Sequence, residues 1–181
     1  MSDKELPDWK DVHTIVFDFD GVFTDNKVWV DQIGVESVQC DRADGLGFDL
    51  LRAFIKANNW ALNYFILSKE KNPVVSIRAQ KLQINCVQSM SNKADYIANY
   101  LGENNLSAKG LVYLGNDLND LAVMRISGFS VAPSDAHALI LDQADLVLPQ
   151  KGGDGFVRAF IELLIGIVKM SADEVIGLFR I

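Results

Sequence analysis

Seven polar side chains in this 181-residue chain have types and spacings suited to joint chemistry: Asp18, Asp20, Ser68, Lys93, Asn116, Asp117 and Asp120. Asp18 and Asp20 follow an apolar run, Ile15-Val-Phe17, and stand two residues apart. On an extended chain that spacing turns both carboxylates to one side, just where the strand gives out. Gly21 then lets the backbone turn sharply without a Cβ penalty. Two like charges this close are costly unless a cation lies between them or one keeps a proton. A hard divalent ion with oxygen ligands resolves the conflict, and Mg²⁺ is the default candidate. The plainer reading is an acidic turn after a strand.

The elements that must position these groups follow from periodicity. After the opening strand, 27–30 and 36–40 flank Asp31-Gln-Ile-Gly34, and their alternation predicts a β-hairpin over about 27–40. Its Val28, Trp29, Val30 and Val38 are too apolar to stand in water, so it is expected to be covered by the core or by another subunit. From Asp44 the period becomes helical, through Leu46, Leu50, Leu51, Phe54 and Ile55 to Asn58-Asn59. A strand over 60–67 stops at Ser68. Asn72-Pro73 predicts an N-cap with proline at the first helical position, opening a helix to about Leu82. A strand near 84–87 and a helix from Asn92-Lys93, closed by Gly102, come next. Strand 111–114 breaks at Gly115-Asn-Asp-Leu-Asn-Asp120. A helix to about Ile126, a strand over 129–131, a short helix from Ser134 and a strand over 146–148 follow. The last main helix carries the stripe Phe156, Val157, Phe160, Ile161, Leu164, Ile167 and Val168.

Alternating helices and continuously apolar strands describe a doubly wound, Rossmann-like parallel α/β sheet covered on both faces, one domain over residues 1–181. In such a sheet ligands bind beyond the carboxyl ends of the strands. Four strand exits deliver Asp18 and Asp20, then Ser68, then Lys93, then Asn116, Asp117 and Asp120 to one rim. Carboxylates from two loops make a Mg²⁺ site open to substrate oxygens. Ser68 and Lys93 supply a hydroxyl and a positive charge for the remaining oxygens of a phosphoryl group. A metal-bound aspartate can then attack phosphorus, while the second aspartate protonates the leaving alkoxide and later activates water.

Composition sets outer limits. Hydrophobic content of 49% and charged content of 23% are ordinary for a globular protein. A formal charge of −7 argues against nucleic acid, though not against a small anionic substrate held in a local cationic pocket. The polar start, Met1-Ser-Asp-Lys-Glu-Leu-Pro7, has no signal-peptide pattern, and Arg158, Glu162 and Lys169 interrupt the apolar C-terminal segment, so no membrane span is expected. Cys40 and Cys86 lack metal or redox spacing and are expected as small buried hydrophobes in a reducing cytoplasm. His13 and His137 have no partner at ligand spacing. Trp9, Trp29 and Trp60 are expected to be packing residues, with Trp29 also placed to meet a neighbouring subunit.

Asp18-Phe-Asp20-Gly-Val-Phe-Thr-Asp25, Ser68, Lys93 and Gly115-Asn-Asp-Leu-Asn-Asp120 resemble the four motifs of the haloacid dehalogenase superfamily of phosphatases. More narrowly, Asp44-Gly-Leu-Gly47, the segment 67–75, Arg78-Ala-Gln-Lys-Leu82 and Lys151-Gly-Gly-Asp-Gly155 are similar to one branch of it. That branch contains 3-deoxy-D-manno-octulosonate 8-phosphate phosphatase and the phosphatase-like domains of acylneuraminate cytidylyltransferases. The resemblance implies a capless fold with a protruding hairpin that builds a homotetramer, a neighbouring subunit helping to close each site. It implies Asp18 as nucleophile and Asp20 as acid/base with its backbone carbonyl on Mg²⁺. Asp117 would complete the metal site, with Asn116 and Asp120 in support or as further metal ligands. Arg42 and Asp44 are placed near the active rim by the same analogy, and both, with Gly45, are candidate substrate-binding residues. Arg78 and Lys151 are of the type that recognises a substrate carboxylate or pairs with a surface acid.

Two departures stand out. Many relatives carry Thr-Gly-Arg where this chain has Ser68-Lys-Glu70, which keeps the hydroxyl but puts the sugar specificity in question. Asn116 replaces a common aspartate and lowers the charge of the metal site. The expected function is therefore a Mg²⁺-dependent phosphomonoesterase acting on a phosphorylated keto-sugar acid, in lipopolysaccharide or sialic acid biosynthesis. The competing expectation is a catalytically weak oligomerisation module serving sugar-nucleotide synthesis. Selectivity is expected to involve the hairpin and the tail over 171–181.

Overall fold

The computed structural model describes residues 4–180. In chain order it contains β1 (Thr14–Phe17), β2 (Trp29–Val30), β3 (Glu36–Ser37), α1 (Ala43–Asn58), β4 (Asn63–Leu67), α2 (Val74–Leu82), β5 (Asn85–Val87) and α3 (Lys93–Glu103). There follow β6 (Leu111–Leu114), α4 (Leu121–Ile126), β7 (Phe129–Pro133), α5 (Ala138–Gln143), β8 (Leu146–Leu148), α6 (Phe156–Leu164) and α7 (Ala172–Leu178). Six strands pair in parallel in the order β5-β4-β1-β6-β7-β8, and β2 pairs with β3 alone in a two-stranded ribbon.

β1 is the centre, and all four of its side chains are buried. Its alternation splits the core: Ile15 and Phe17 join one apolar cluster, with Phe48, Leu51, Phe156 and Phe160 from α1 and α6. Val16 faces the other, with Ile97, Val123 and Ile140 from α3, α4 and α5. The sheet is thus covered on both faces, as its apolar strands require. Phe17 pairs with Ile66 of β4 and Leu114 of β6, so three strands end nearly level. That shared rim decides where the polar exits meet.

Several boundaries differ from the pattern reading. Trp60 lies before β4, buried in a loop; its indole donates to the Val12 carbonyl at 2.7 Å and its ring packs on Trp9 and Phe54. The N-cap of α2 is Pro73 rather than Asn72, whose side chain accepts from Val74 N two residues on. α3 runs one residue past Gly102 and is capped by Asn104. The segment after β7 turns first, and α5 starts only after His137, whose ring accepts from Leu139 N. β7 itself extends to Pro133.

The final stripe is not one helix. α6 ends at Leu164, and Gly166, at φ 73°, breaks the chain before a single 3₁₀ turn over Ile167–Lys169. Val168 is consequently 79% exposed instead of inward. The tail forms α7 behind a capping box of Ser171 and Glu174; Ile181 lies outside the described residues. The hairpin forms as expected, with shorter pairing. Its paired strands are two residues each, and Val28, Trp29, Val30, Ile33 and Val35 are between 55% and 79% exposed. Trp29 is therefore not a core residue of this chain. Both cysteines are free and half-buried rather than buried. Among the described residues no helix is long and apolar enough to cross a membrane.

Candidate functional site

The site starts where β1 ends. Asp18, only 4% exposed, receives two donors on Oδ1: its neighbour Phe19 N at 2.7 Å and Lys93 Nζ at 2.7 Å. Lys93 is the first residue of α3, set by Asn92, whose side chain accepts from Asp95 N. The same ammonium donates to Asp120 Oδ1 at 2.7 Å. Asp120 is completely buried, and its oxygens also take Tyr113 Oη at 2.7 Å, Asn116 N at 2.9 Å and Asp117 N at 3.2 Å. Four donors occupy its two oxygens, so Asp120 anchors Lys93 and the loop after β6 and does not turn toward ligand.

The electrostatics follow from that sandwich. Burial works against the charge on Lys93, but Asp18 and Asp120 outweigh it and hold the ammonium above its ordinary pKa. One cation cannot balance two buried carboxylates. Burial, and then Asp120, push the Asp18 carboxyl well up, while Lys93 and the Phe19 amide pull it back. Burial and Asp120 also push the Tyr113 hydroxyl well up, which keeps it a neutral donor.

Above this relay opens a cleft of 580 Å³ lined by Asp18, Asp20, Asn26, Ser68, Lys69, Glu70, Lys71, Asn116, Asp117, Leu118 and Asn119. The structure thus brings Asp18, Asp20, Ser68, Asn116 and Asp117 together on its walls, from the exits of β1, β4 and β6. Ser68 is 1% exposed, its Oγ accepting from Glu70 N at 3.0 Å. Asp20 is pushed up by burial, then by Glu70, with Lys93 pulling down and Glu36 adding to the rise. Asn116 Oδ1 is buried without a partner. Gly21, at φ 75°, is demanded here, because a Cβ on it would stand 1.9 Å from Asn116 Nδ2.

Other expectations fall elsewhere. Arg42, Gly45, Arg78 and Lys151 do not line this cleft. Arg78 borders a separate groove with Glu36, Val38 and Ile77, and its Nη2 donates to the Asp41 carbonyl at 2.6 Å. Asp44 is wholly buried, its Oδ1 accepting from Arg158 N at 3.1 Å, so the rim placement does not hold for it. Tyr113 was missed by the pattern reading. The available signal was a phenol inside an apolar strand, since a buried Tyr hydroxyl needs a partner. Asn26 and Glu70 were missed as cleft walls because loops carry no period.

A family model described as haloacid dehalogenase-like hydrolase matches residues 54–160. The 3-deoxy-D-manno-octulosonate 8-phosphate phosphatase KdsC of Salmonella typhi is 30% identical over 169 residues, covering 93% of this chain and 86% of its own length. The chain belongs to the haloacid dehalogenase-like hydrolases. Among solved structures, the 3-deoxy-D-manno-octulosonate 8-phosphate phosphatase of Yersinia pestis is 29% identical with a TM-score of 0.78, covering 93% of this chain and 86% of its own. The Moraxella catarrhalis phosphatase of the same name, solved with a magnesium ion, a phosphate ion and a KDO molecule, shares the fold at 23% identity and a TM-score of 0.78, over 87% and 88% of the two chains. Within the haloacid dehalogenase-like hydrolases, this chain is of the phosphoric monoester hydrolase class.

The donor set of this hydrolase fits a hard cation. Every cleft atom able to ligate is an oxygen or amide, and the unpartnered Asn116 Oδ1 adds one more acceptor. That suits Mg²⁺, which is typically held by one or two carboxylates with substrate oxygens and water completing the shell.

Proposed function

We propose that this hydrolase is a Mg²⁺-dependent phosphomonoesterase with Asp18 as nucleophile and a phosphorylated keto-sugar acid as substrate, such as 3-deoxy-D-manno-octulosonate 8-phosphate or an acylneuraminate 9-phosphate. The observation that carries it is the 2.7 Å contact of Lys93 with Asp18 directly beneath a cleft walled by Asp20, Ser68 and Asp117. Asp18, Asp117 and the Asp20 carbonyl would hold Mg²⁺, which neutralises phosphoryl charge when bound. Ser68 donates to a phosphoryl oxygen, and the Lys93 charge lies under it. Asp18 attacks phosphorus, and the bond to the sugar oxygen breaks as Asp20 delivers its proton there. Asp20 then takes a proton from the water that releases phosphate and restores Asp18. The raised Asp20 supports that acid role. Phosphatases named for the octulosonate ester among the relatives support the sugar acid.

Phosphate release from ulosonate, acylneuraminate and simple hexose phosphates tests this reading. Release is expected to be fastest on a sugar acid and to fall to background when EDTA removes the metal. If no ester is hydrolysed with Mg²⁺ present, the weak scaffold reading, motivated by Asn116, takes its place.

The protein is further proposed to be a capless, single-domain, cytoplasmic enzyme that assembles as a homotetramer through the hairpin. The exposed Val28, Trp29, Val30, Ile33 and Val35 of the hairpin support assembly, since clustered exposed apolar residues mark interfaces, most often closed symmetric ones. Light scattering is expected to give a tetramer mass, reduced by Trp29→Ser with Ile33→Ser. An unchanged mass in the double variant would exclude the hairpin.

A further inference from the structure

Asp44 is a fully buried carboxyl group that the proposed reaction does not use. It is the second residue of α1, yet its Oδ1 accepts from the backbone of Arg158, the third residue of α6. α6 begins after Gly155, which has no side chain to cap it. α1 therefore supplies the missing acceptor to its neighbour. The two helices are close enough that a Cβ on Gly47 would stand 3.0 Å from Arg158 Cα.

The segment entering α6 rests on the turn that follows Asp20. A Cβ on Gly152 would stand 2.1 Å from the Gly21 carbonyl oxygen, and one on Gly153 2.5 Å from Thr24 C. Gly153 N donates to the Val22 carbonyl at 3.2 Å. Contact is thus continuous from Asp44, through the start of α6 and the two glycines, to the turn over residues 21–25.

We infer that Asp44 is a positioning residue: by fixing the start of α6 it holds the diglycine segment against the turn behind Asp20, and so sets the place of the proton donor from outside the cleft. This rests on Asp20 being the acid that protonates the leaving group. Supporting it, Asp44 Oδ2 is buried without a partner, an arrangement that disfavours the ionised form. Burial pushes this carboxyl up to about 7, the Arg158 amide and the Arg78 and Arg158 charges pulling down and Asp41 pushing up. Those charges come from the segment before α1, from α2 and from α6; the Cys40 thiol, itself raised chiefly by burial, also lies within reach of Asp44. The folded protein keeps this proton to about pH 7, whereas an unfolded chain releases it near pH 4. Stability conferred by the protonated form is therefore present at acid pH and declines as pH rises between those values.

The test compares Asp44→Ala and Asp44→Asn with the wild type on p-nitrophenyl phosphate, whose leaving group departs without a proton, and on the sugar phosphate hydrolysed fastest among the ulosonate, acylneuraminate and hexose esters, whose alkoxide needs one. Asp44→Ala is expected to lower kcat/KM, which reports phosphorylation of Asp18 and not the later hydrolysis that both esters share, about ten- to a hundredfold on the sugar phosphate and to change it little on p-nitrophenyl phosphate. Asp44→Asn keeps the acceptor for Arg158 and restores most of the loss. Its thermal midpoint should also rise relative to the wild type between pH 5 and pH 8. If Asp44→Ala does not fold, Asp44→Ser, too short to span to Arg158 N, gives the same comparison. Equal losses on both esters, no loss on either, or an Asn variant as impaired as Ala would overturn the inference alone. A wild type inactive on p-nitrophenyl phosphate and on every sugar phosphate of that panel would overturn the proposed function and this inference with it.

Discussion

Asp18→Asn is expected to lower turnover by at least about a thousandfold, as removal of a nucleophile does, while leaving the fold intact or slightly firmer. The two halves of that expectation have one structural cause. Asp18 Oδ1 is committed to Phe19 N and Lys93 Nζ, which leaves Oδ2 without a protein donor among the described residues and available to phosphorus. An amide has the same shape but no nucleophilic oxygen of comparable strength. Against this, the Asp18 charge is a burden to the folded chain, since burial and Asp120 both oppose it. Neutralising it removes repulsion with Asp120, though Lys93 loses one of its two acids. Phosphate release and urea midpoints of the same preparation read both effects. A variant that turns over like the wild type would remove Asp18 from the nucleophile's role. A variant that simply unfolds would show that the charge is a support and not a burden.

The second large effect is on stability. Lys93→Met should cost about 3–5 kcal/mol at neutral pH, the usual consequence of removing one partner from a buried charge cluster. Lys93 is 1% exposed at its side chain and bridges Asp18 and Asp120 at 2.7 Å each. Without the ammonium, two carboxylates face each other in a dry site with only Tyr113 and backbone amides to serve them. Their folded-state pKa values must then rise. The penalty is largest above those raised values and shrinks as pH falls and one carboxyl takes a proton. For a chain of this size the thermal midpoint should drop by roughly 10 °C at pH 8 and by clearly less at pH 5. Adding Asp120→Asn to Lys93→Met should recover part of the loss, as coupled neighbours do. Equal midpoints for Lys93→Met and wild type at pH 8 would mean that the cluster bears no load. Activity is lost in either case, because the positive charge beneath the phosphoryl position is gone.

These two residues also show how unevenly the site could be read. Asp18 was legible because strand period, paired acids and a following glycine occupy one short stretch. Lys93 was legible as a cation at the start of a helix, but its double pairing was not, since Asp120 lies 27 positions away in the chain. Asp120 itself looked like a ligand candidate, and only the four donors around it show that its oxygens are spent. Arg78 and Lys151 were chosen by charge type alone, which carries no direction. Asp44 was assigned to the rim by likeness to a family, whereas its neighbours place it between α1 and α6.

What the residue order by itself determined was the alternation of helix and strand, the parallel sheet and the set of strand exits bearing Asp18, Asp20, Ser68, Lys93 and Asp117. Those follow from local rules: period two or 3.6, turn residues and the burial of apolar runs. What only the tertiary structure decided was which polar groups are consumed by one another and which are left for a ligand. That depends on distances between segments far apart in the chain, set by the register of β1 with β4 and β6 and by helix packing on both faces. Hydrogen-bond capacity is finite, so the same carboxylate is a reactive group or a buried strut according to who has reached it first.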